Sequence, residues 1–405
     1  MAVNRKMEFR LYPNATQTKA LEGYCGACRW VYNRALQVRK ETFEAEQRTV
    51  GFAEQCKMLT QWRKDEQSAW LAGYHTHALQ LSLKRLDLAM QAFFRRVKEG
   101  GKPGFPRFKS RNRFSGFGFK EHGNGWRFED GALRVSGIGM IRIRGKSKHM
   151  HGTPKTCEIV RRVDKWYVSI TVELAELPER ERKQSQRVGI DWGVETFVTV
   201  ALEDGSCHQE ANPRHLQQSL DAIKQVQKEL SRKKRGSKRA AKTRLRLARK
   251  HQQVANRRKD FLHKLTAWQV AHYGHIAVEK LSPLAMVKPQ GGSRKRGLNR
   301  SILDASAGLY HQLLRCKAEE AGSAYVEINP LIHKPSQTCH VSGRVVKKPL
   351  SQRWHELPNG QRIGRDENAA RVILQLSLGW EPPQRVEDGA SAQASTIRET
   401  VSRAA

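Results

Sequence analysis

RVGIDWGVETFVTVALEDG, residues 187–205, is the stretch on which the fold turns. Val188, Ile190, Phe197, Val198 and Val200 form two short apolar runs parted by a turn at Gly193, the pattern of two neighbouring strands in a buried sheet. Asp191 does not belong in such a run. An ionised carboxylate there is costly unless it meets a cation or several donors. A plain aspartate on an edge strand is the other reading of the same residue.

Working outward, the balance of charge sets the class of partner. The chain has 405 residues, with 74 Lys and Arg against 39 Asp and Glu, a net charge of +35 and a pI near 10.3. That length allows two to four domains and a real core. A chain so basic binds any long polyanion, so nucleic acid is the first partner to expect and an anionic membrane surface the second. No apolar run reaches the ~18 residues of a spanning helix, and MAVNRKMEFRLYP has no apolar core of a signal peptide behind its charge. Seven cysteines, an odd number, point to free thiols in a reducing compartment.

On the N-terminal side, Lys6 to Tyr12 alternates as a strand, and Pro13-Asn14 breaks it before a helix whose apolar stripe is Leu21, Tyr24, Cys28, Val31 and Ala35. Cys25 and Cys28 form a lone CxxC with no second pair nearby, read as buried thiols rather than metal ligands. A second helix is expected from about Ser68 to Lys98, with Leu79, Leu83, Leu86, Met90, Phe93 and Val97 on one face and Gln80, Lys84 and Gln91 off it. The segment GKPGFPRFKSRNRFSGFGF, starting at Gly101, then interleaves basic residues with five phenylalanines, which suits phosphate neutralisation and base stacking. Strands should follow over Trp126 to Arg144 and Glu158 to Leu174, closing a small barrel with the first strand.

On the C-terminal side, Arg214 to His272 reads as a helical hairpin turned near Gly236-Ser237. Between Ser231 and Lys259 it carries fourteen Lys and Arg and no acid, so it should lie on phosphates. HIAVEKL puts Glu279 in a second apolar strand. Ser301 and Asp304 can cap a helix running toward Gly322, and AYVEIN is another strand. GRDENAARVILQLSLGW is a helix beginning with Asp366, Glu367 and Asn368. Asp366 alone would be a helix N-terminal charge; with Asp191 and Glu279 it makes a set of three.

Gly189 to Gly193 (GIDWG), Val278 to Leu281 (VEKL) and Arg365 to Ala370 (RDENAA) resemble the three segments of a RuvC-type, RNase H-like nuclease. Their order and spacing, with RLYPNATQ, ALQLSLKRLDLAMQAFF, GFPRFK, RRKDFLHKLT and PSQTC, resemble the TnpB family of transposon-encoded RNA-guided nucleases, relatives of compact type V CRISPR effectors. The likeness runs to about Gly379. It implies a multidomain α/β plus α+β fold: a wedge β-barrel from 1–14 and 101–178, a helical recognition domain over 15–100, and an RNase H-like RuvC mixed sheet with flanking helices from 187–334 and 361–380. A ribbon-like insert would occupy 335–360 and a disordered tail 381–405.

The resemblance also implies a chemistry. Asp191, Glu279 and Asp366 would hold two Mg²⁺ ions about 3.5–4 Å apart for phosphodiester hydrolysis, Asp191 shared between them. Guide RNA would read the target strand while protein groups read a short flanking motif in double-stranded DNA, whose other strand is displaced. Gln80 would contact a base edge. Phosphate contacts are expected from Lys84, Arg107, Lys109, Arg232, Lys233, Lys234, Arg235, Lys238, Arg239, Arg257 and Arg258. The working species would be a monomer in the prokaryotic cytoplasm, on the nucleoid and away from membranes. A guided DNA-binding repressor and a strand-transfer transposase are the alternatives.

One departure concerns zinc. Where the family has two CxxC pairs, this chain reads Cys339-His340-Val341-Ser342-Gly343 and Glu356-Leu357-Pro358-Asn359-Gly360, keeping one thiol of four. The expectation is a zinc-free ribbon held by packing of Trp354 and Leu350; the alternative is a substitute site from Cys339, His340 and His355.

Overall fold

The computed structural model describes residues 3–129, 131–144, 152–175, 186–287, 292–349 and 351–381. The polar, charged run from 178 to 186, which the sequence marks as a linker, lies outside these residues save for Gln186, as do the tail beyond 381 and Leu350. The chain divides into two compact units, Met1–Leu177 and Pro178–Ala405. Among the described residues no helix is long and apolar enough to cross a membrane.

The first unit runs β1 (Val3–Tyr12), α1 (Ala15–Glu46), α2 (Phe52–Trp62), α3 (Thr76–Lys98), β2 (Gly116–Phe119), β3 (Trp126–Glu129), β4 (Ala132–Val135), β5 (Gly139–Arg144), β6 (Thr153–Arg162) and β7 (Lys165–Leu174). Its seven strands form one antiparallel sheet in the order β2-β6-β7-β1-β5-β4-β3. The inward residues of that sheet, among them Phe9, Phe117, Phe119, Trp126 and Ile170, share one core with the apolar faces of α1 and α3. Asn14 starts α1 by a capping box, accepting from Gln17 N at 2.8 Å while Gln17 Oε1 accepts from Asn14 N at 3.1 Å.

Cys25 and Cys28 are both buried on α1. Burial pushes their thiols up to about 12 and about 11, so neither is poised as a thiolate ligand or nucleophile. The helix expected from Ser68 begins only at Thr76: Ala69–Gly73 is a 3₁₀ turn, and extended Tyr74 interrupts the helical path. Helix α2 was not expected. Its inward face depends on a polar residue, Gln55, fully buried between Arg39 Nε at 2.9 Å and the Ala35 carbonyl at 2.8 Å, and hydrophobic periodicity does not register that.

The second unit runs β8 (Gln186–Trp192), β9 (Thr196–Leu202), β10 (Cys207–Ala211), α4 (His215–Ser231), α5 (Lys238–His272), β11 (Tyr273–Glu279), α6 (Pro283–Met286), α7 (Ser293–Ala305), α8 (Ala307–Ala321), β12 (Ala324–Ile328), α9 (Pro330–His333), β13 (Trp354–Glu356), β14 (Arg362–Gly364) and α10 (Arg365–Ser377). The sheet order is β10-β9-β8-β11-β12. β8, β11 and β12 are mutually parallel, and β9 runs antiparallel to both of its neighbours, β8 and β10. Thus the two apolar runs of residues 187–205 are adjacent strands, with β8 at the centre of the sheet. The hairpin of α4 and α5 turns at Gly236 (φ +85°), and Ser237 Oγ then caps α5 by accepting from Ala240 N at 3.1 Å.

Asp304 does not cap the helix that follows it. It lies inside α7, where its carboxylate accepts from Leu216 N at 2.9 Å and pairs with Arg258 at 2.6 Å. It therefore caps α4, 88 residues away in sequence, which local pattern cannot reveal. The packing role expected of Trp354 also fails, since that ring is 60% exposed. Strand alternation turns His355 inward instead, leaving it 2% exposed.

Candidate active site

Parallel strands deliver side chains to a common edge at their C-terminal ends, the usual place for ligands in such sheets. In the β8–β11 ladder Val278 stands opposite Ile190. The next residue of each strand is an acid, so Asp191 and Glu279 are level at that edge. The third acid arrives on α10, whose first turn holds Asp366 and Glu367. Helix α10 packs on β8 so closely that a Cβ on Gly189 would fall 2.5 Å from Leu374 N and nearer still to the Ala370 carbonyl oxygen. That missing side chain fixes the helix start relative to Asp191.

All three acids are partly exposed. Burial of the carboxyl, then the charges of Glu279 and Asp366, raise the pKa of Asp191 well above the ordinary carboxylate range, with Arg365 acting the other way. Burial likewise raises Glu279. The trio is near enough to interact but is not closed into a cage: among the described residues, no group of three or more His, Cys, Asp or Glu stands ready to hold a metal ion. Hard oxygen donors, mutual repulsion and an open face suit a weakly gathered divalent cation that keeps several waters, the habit of Mg²⁺.

Asp366 also borders a cavity of about 710 Å³ whose wall includes Arg214, Lys295, Arg300 and Arg353. Arg353 is paired with Glu195 at 2.8 Å. These cations were not singled out in the sequence, where they are scattered over 139 positions between Arg214 and Arg353 and make no run.

The expected nucleic-acid contacts fare unevenly. Arg232, Lys234, Arg235, Lys238, Arg239 and Arg257 are exposed on the α4–α5 hairpin, and Lys233 is half-buried. Arg258 instead spends its charge on Asp304, whose side chain is 9% exposed. In the first unit Arg107 is exposed, Lys109 Nζ lies 5.5 Å from the Tyr32 ring centre, Gln80 accepts from Lys120 at 2.9 Å, and Lys84 pairs with Asp87 at 3.2 Å.

Behind the acids, the ribbon is tied to α10 by Asn368. Its amide donates to the Thr338 carbonyl at 2.6 Å, and its Oδ1 accepts from His340 N at 3.1 Å and faces His340 Nδ1 at 3.0 Å. In the sequence Asn368 reads only as part of the helix start, although it stands one turn before Val372 on the apolar face and is fully buried. Cys339 is buried too, but among the described residues the substitute ligands form no group placed to hold a metal ion. His340 is held by Asn368, while Lys348 Nζ donates to His355 Nδ1. Burial lowers Lys348 to about 8 and, with Lys348 beside it, His355 to about 4. A buried cation among one thiol and two imidazoles does not fit Zn²⁺.

Comparison with known proteins agrees with this architecture. Residues 168–290 match a family model described as "Probable transposase", residues 309–373 one described as "Cas12f1-like, TNB domain", and residues 1–48 one described as "Helix-turn-helix domain". Residues 3–46 in fact form a strand and one continuous helix, not a helix-turn-helix. The chain is 30% identical over 378 residues to "Putative RNA-guided DNA endonuclease InsQ" of Escherichia coli (strain K12), covering 91% of this chain and 90% of that protein. It is 30% identical over 380 residues to a "Putative RNA-guided DNA endonuclease" of Streptomyces pristinaespiralis, covering 93% and 90%. Among solved structures, a Cas12f1 from a complex with sgRNA and target DNA shares the fold at TM-score 0.53 and 11% identity, over 92% of this chain and 98% of that one.

Proposed function

The chain belongs to the TnpB family, and from that premise we propose that it is an RNA-guided DNA endonuclease: it binds a guide RNA, recognises a short motif beside a double-stranded target, and hydrolyses phosphodiester bonds. The observation that carries this reading is the register of β8 and β11, which sets Asp191 beside Glu279 with the start of α10 close by.

In this reading Asp191, Glu279 and Asp366 would hold the Mg²⁺. Bound magnesium would supply an activated water and a positive charge to receive the leaving 3′ oxygen. The chain supplies the rest. β8 and β11 hold two carboxylates on a rigid sheet, α10 presents the third from its first turn, and Arg214, Lys295 and Arg300 bias the neighbouring cavity toward a phosphate strand. Mutual repulsion of the acids keeps the site a poor binder of anything but a cation. The hairpin of α4 and α5 takes phosphates without reading sequence. The ribbon works without zinc, held by Asn368 and by the Lys348–His355 contact. The working species is a single chain in a prokaryotic cytoplasm, acting on nucleoid DNA.

The test is cleavage of a plasmid bearing a guide-matched target, with Mg²⁺ and the RNA that copurifies with the chain, sequenced to define the guide. Asp191→Ala should abolish cutting and leave guided DNA binding intact. Retained cutting by that variant would refute the catalytic assignment. Binding without cutting by the parent chain would make it a repressor, and joined products would make it a transposase.

A further inference from the structure

The first unit carries an aromatic pocket that neither the acids nor the basic hairpin explains. The apolar stripe of α3 is buried as far as Met90 and half-buried at Phe93; beside it Phe94, off the stripe, is 50% exposed, and across the groove Phe43 is 49% and Phe105 42% exposed. With Phe93, Met90 and Val50 they line a cavity of about 340 Å³. Its size lies at the low end of pockets for small organic groups, about 300–1,000 Å³. Phe93 meets Phe94 and Phe105 edge-on, at 5.1 and 5.2 Å between centroids and 64° and 83° between planes. Edge-on pairs leave ring faces unstacked, and a face is what a planar base seeks.

The setting identifies the occupant. Arg95 to Arg113, the segment that supplies Phe105, holds eight Lys and Arg and one acid, Glu99, and the cavity wall itself carries Arg39 and Lys40 against Glu44. At the rim Lys40 Nζ sits 5.8 Å from the Phe108 ring centre, and Phe108 is itself 52% exposed. An apolar protein partner gains nothing from that charge, whereas a polyanion with flat apolar groups answers both features. We propose that the Phe43, Phe94 and Phe105 pocket receives an unstacked base of single-stranded RNA, with the flanking cations holding its backbone. Single-stranded loops of RNA offer such splayed bases. The proposal rests on the guide-RNA reading above and adds to it a site at which the chain grips that RNA through a base.

The experiment measures binding of a short oligouridine and of an abasic strand of equal length and charge to the full chain, freed of its copurifying RNA, without target or cleavage. Phe94→Ala and Phe105→Ala, alone and together, should weaken oligouridine binding about 5- to 150-fold, the range for losing one base stack. They should leave abasic binding and the salt slope unchanged. Both rings are half exposed, so the variants should melt with the parent. Ultraviolet crosslinking of the RNA-loaded chain should place a ribonucleotide on the peptide spanning 93–108. Equal losses on both strands, no loss, a deoxyribonucleotide adduct, or a shift of the variants from dimer to monomer in sedimentation would overturn the proposal. Because no cleavage is read, failure of the pocket leaves the nuclease assignment standing, and a chain that fails to cut can still show the base-dependent loss.

Discussion

Gly189→Ala tests how the site is assembled, because it adds one methyl group and touches none of the acids. The added carbon would fall 2.5 Å from Leu374 N and 2.8 Å from Leu374 Cβ, and closer than either to the Ala370 carbonyl. An unstrained contact needs about 3.5 Å, so α10 must retreat by roughly 1 Å. The obstacles are helix backbone, which cannot turn aside as a flexible side chain would. Overpacking of this kind costs about 1–3 kcal/mol, which a fold of ordinary stability, about 5–15 kcal/mol, survives. Asp366 rides on α10 and Asp191 on β8, so the retreat opens the distance between them. A displacement of about 1 Å in a reacting constellation costs on the order of 100-fold in rate. The assay is single-turnover cleavage of a guide-matched plasmid, run beside guided DNA binding and thermal melting. Slow cutting with near-normal binding and a modest loss of melting temperature is expected. Cutting at the parent rate would show that the β8–α10 spacing does not govern the site.

Other outcomes follow from the ribbon and the hairpin. Burial and Lys348 place His355 at about 4, below its ordinary 6.5. The unfolded chain therefore takes the proton more readily, so the His355 contribution to ribbon stability is full above pH 6.5 and is lost as pH falls toward 4. Protection of the β13–β14 amides, taken relative to their intrinsic exchange rates, should fall over that window, and His355→Gln should lessen the dependence. Lys348→Ala leaves a buried imidazole nitrogen without its donor, a local cost of about 1–3 kcal/mol, visible in the same amides. A zinc-selective chelator, with Mg²⁺ in excess, should leave the melting of the parent chain unchanged, and a drop would restore zinc to the ribbon. Replacing Arg232, Lys234 and Arg235 by Ala should weaken binding to all sequences and flatten the dependence of log K on log salt by about 0.7–0.9 for each phosphate no longer neutralised.

Much of the second unit was readable because each signal was local. Val188 to Val200 carries its own strand pattern, Asp191 is conspicuous because its neighbours are apolar, and Gly236-Ser237 breaks an unmixed basic helix. Long-range contacts escaped. Asp304 resembles a cap for the helix after it but serves α4, and Arg258 belongs to a basic run but is drawn out of it by that same carboxylate. Trp354 was assigned to the interior on hydrophobicity, although the pleat of a three-residue strand turned it outward and His355 inward. Lys348 gave no warning, since its partner is fixed only when β13 pairs with β14. The acids could be listed from the sequence; how nearly they converge depends on a strand register and on the space left by one glycine.

The three contacts of Asn368 matter to anyone who would rebuild this chain. They stitch residues 338 and 340 to a helix that begins only after the ribbon has ended. A cassette cut at the apparent edges of the insert would therefore sever its own anchor. Any ribbon transplanted from a relative must arrive with a matching first turn of α10, and hence with the aspartate that turn carries, so the ribbon and the last acid can be exchanged only together.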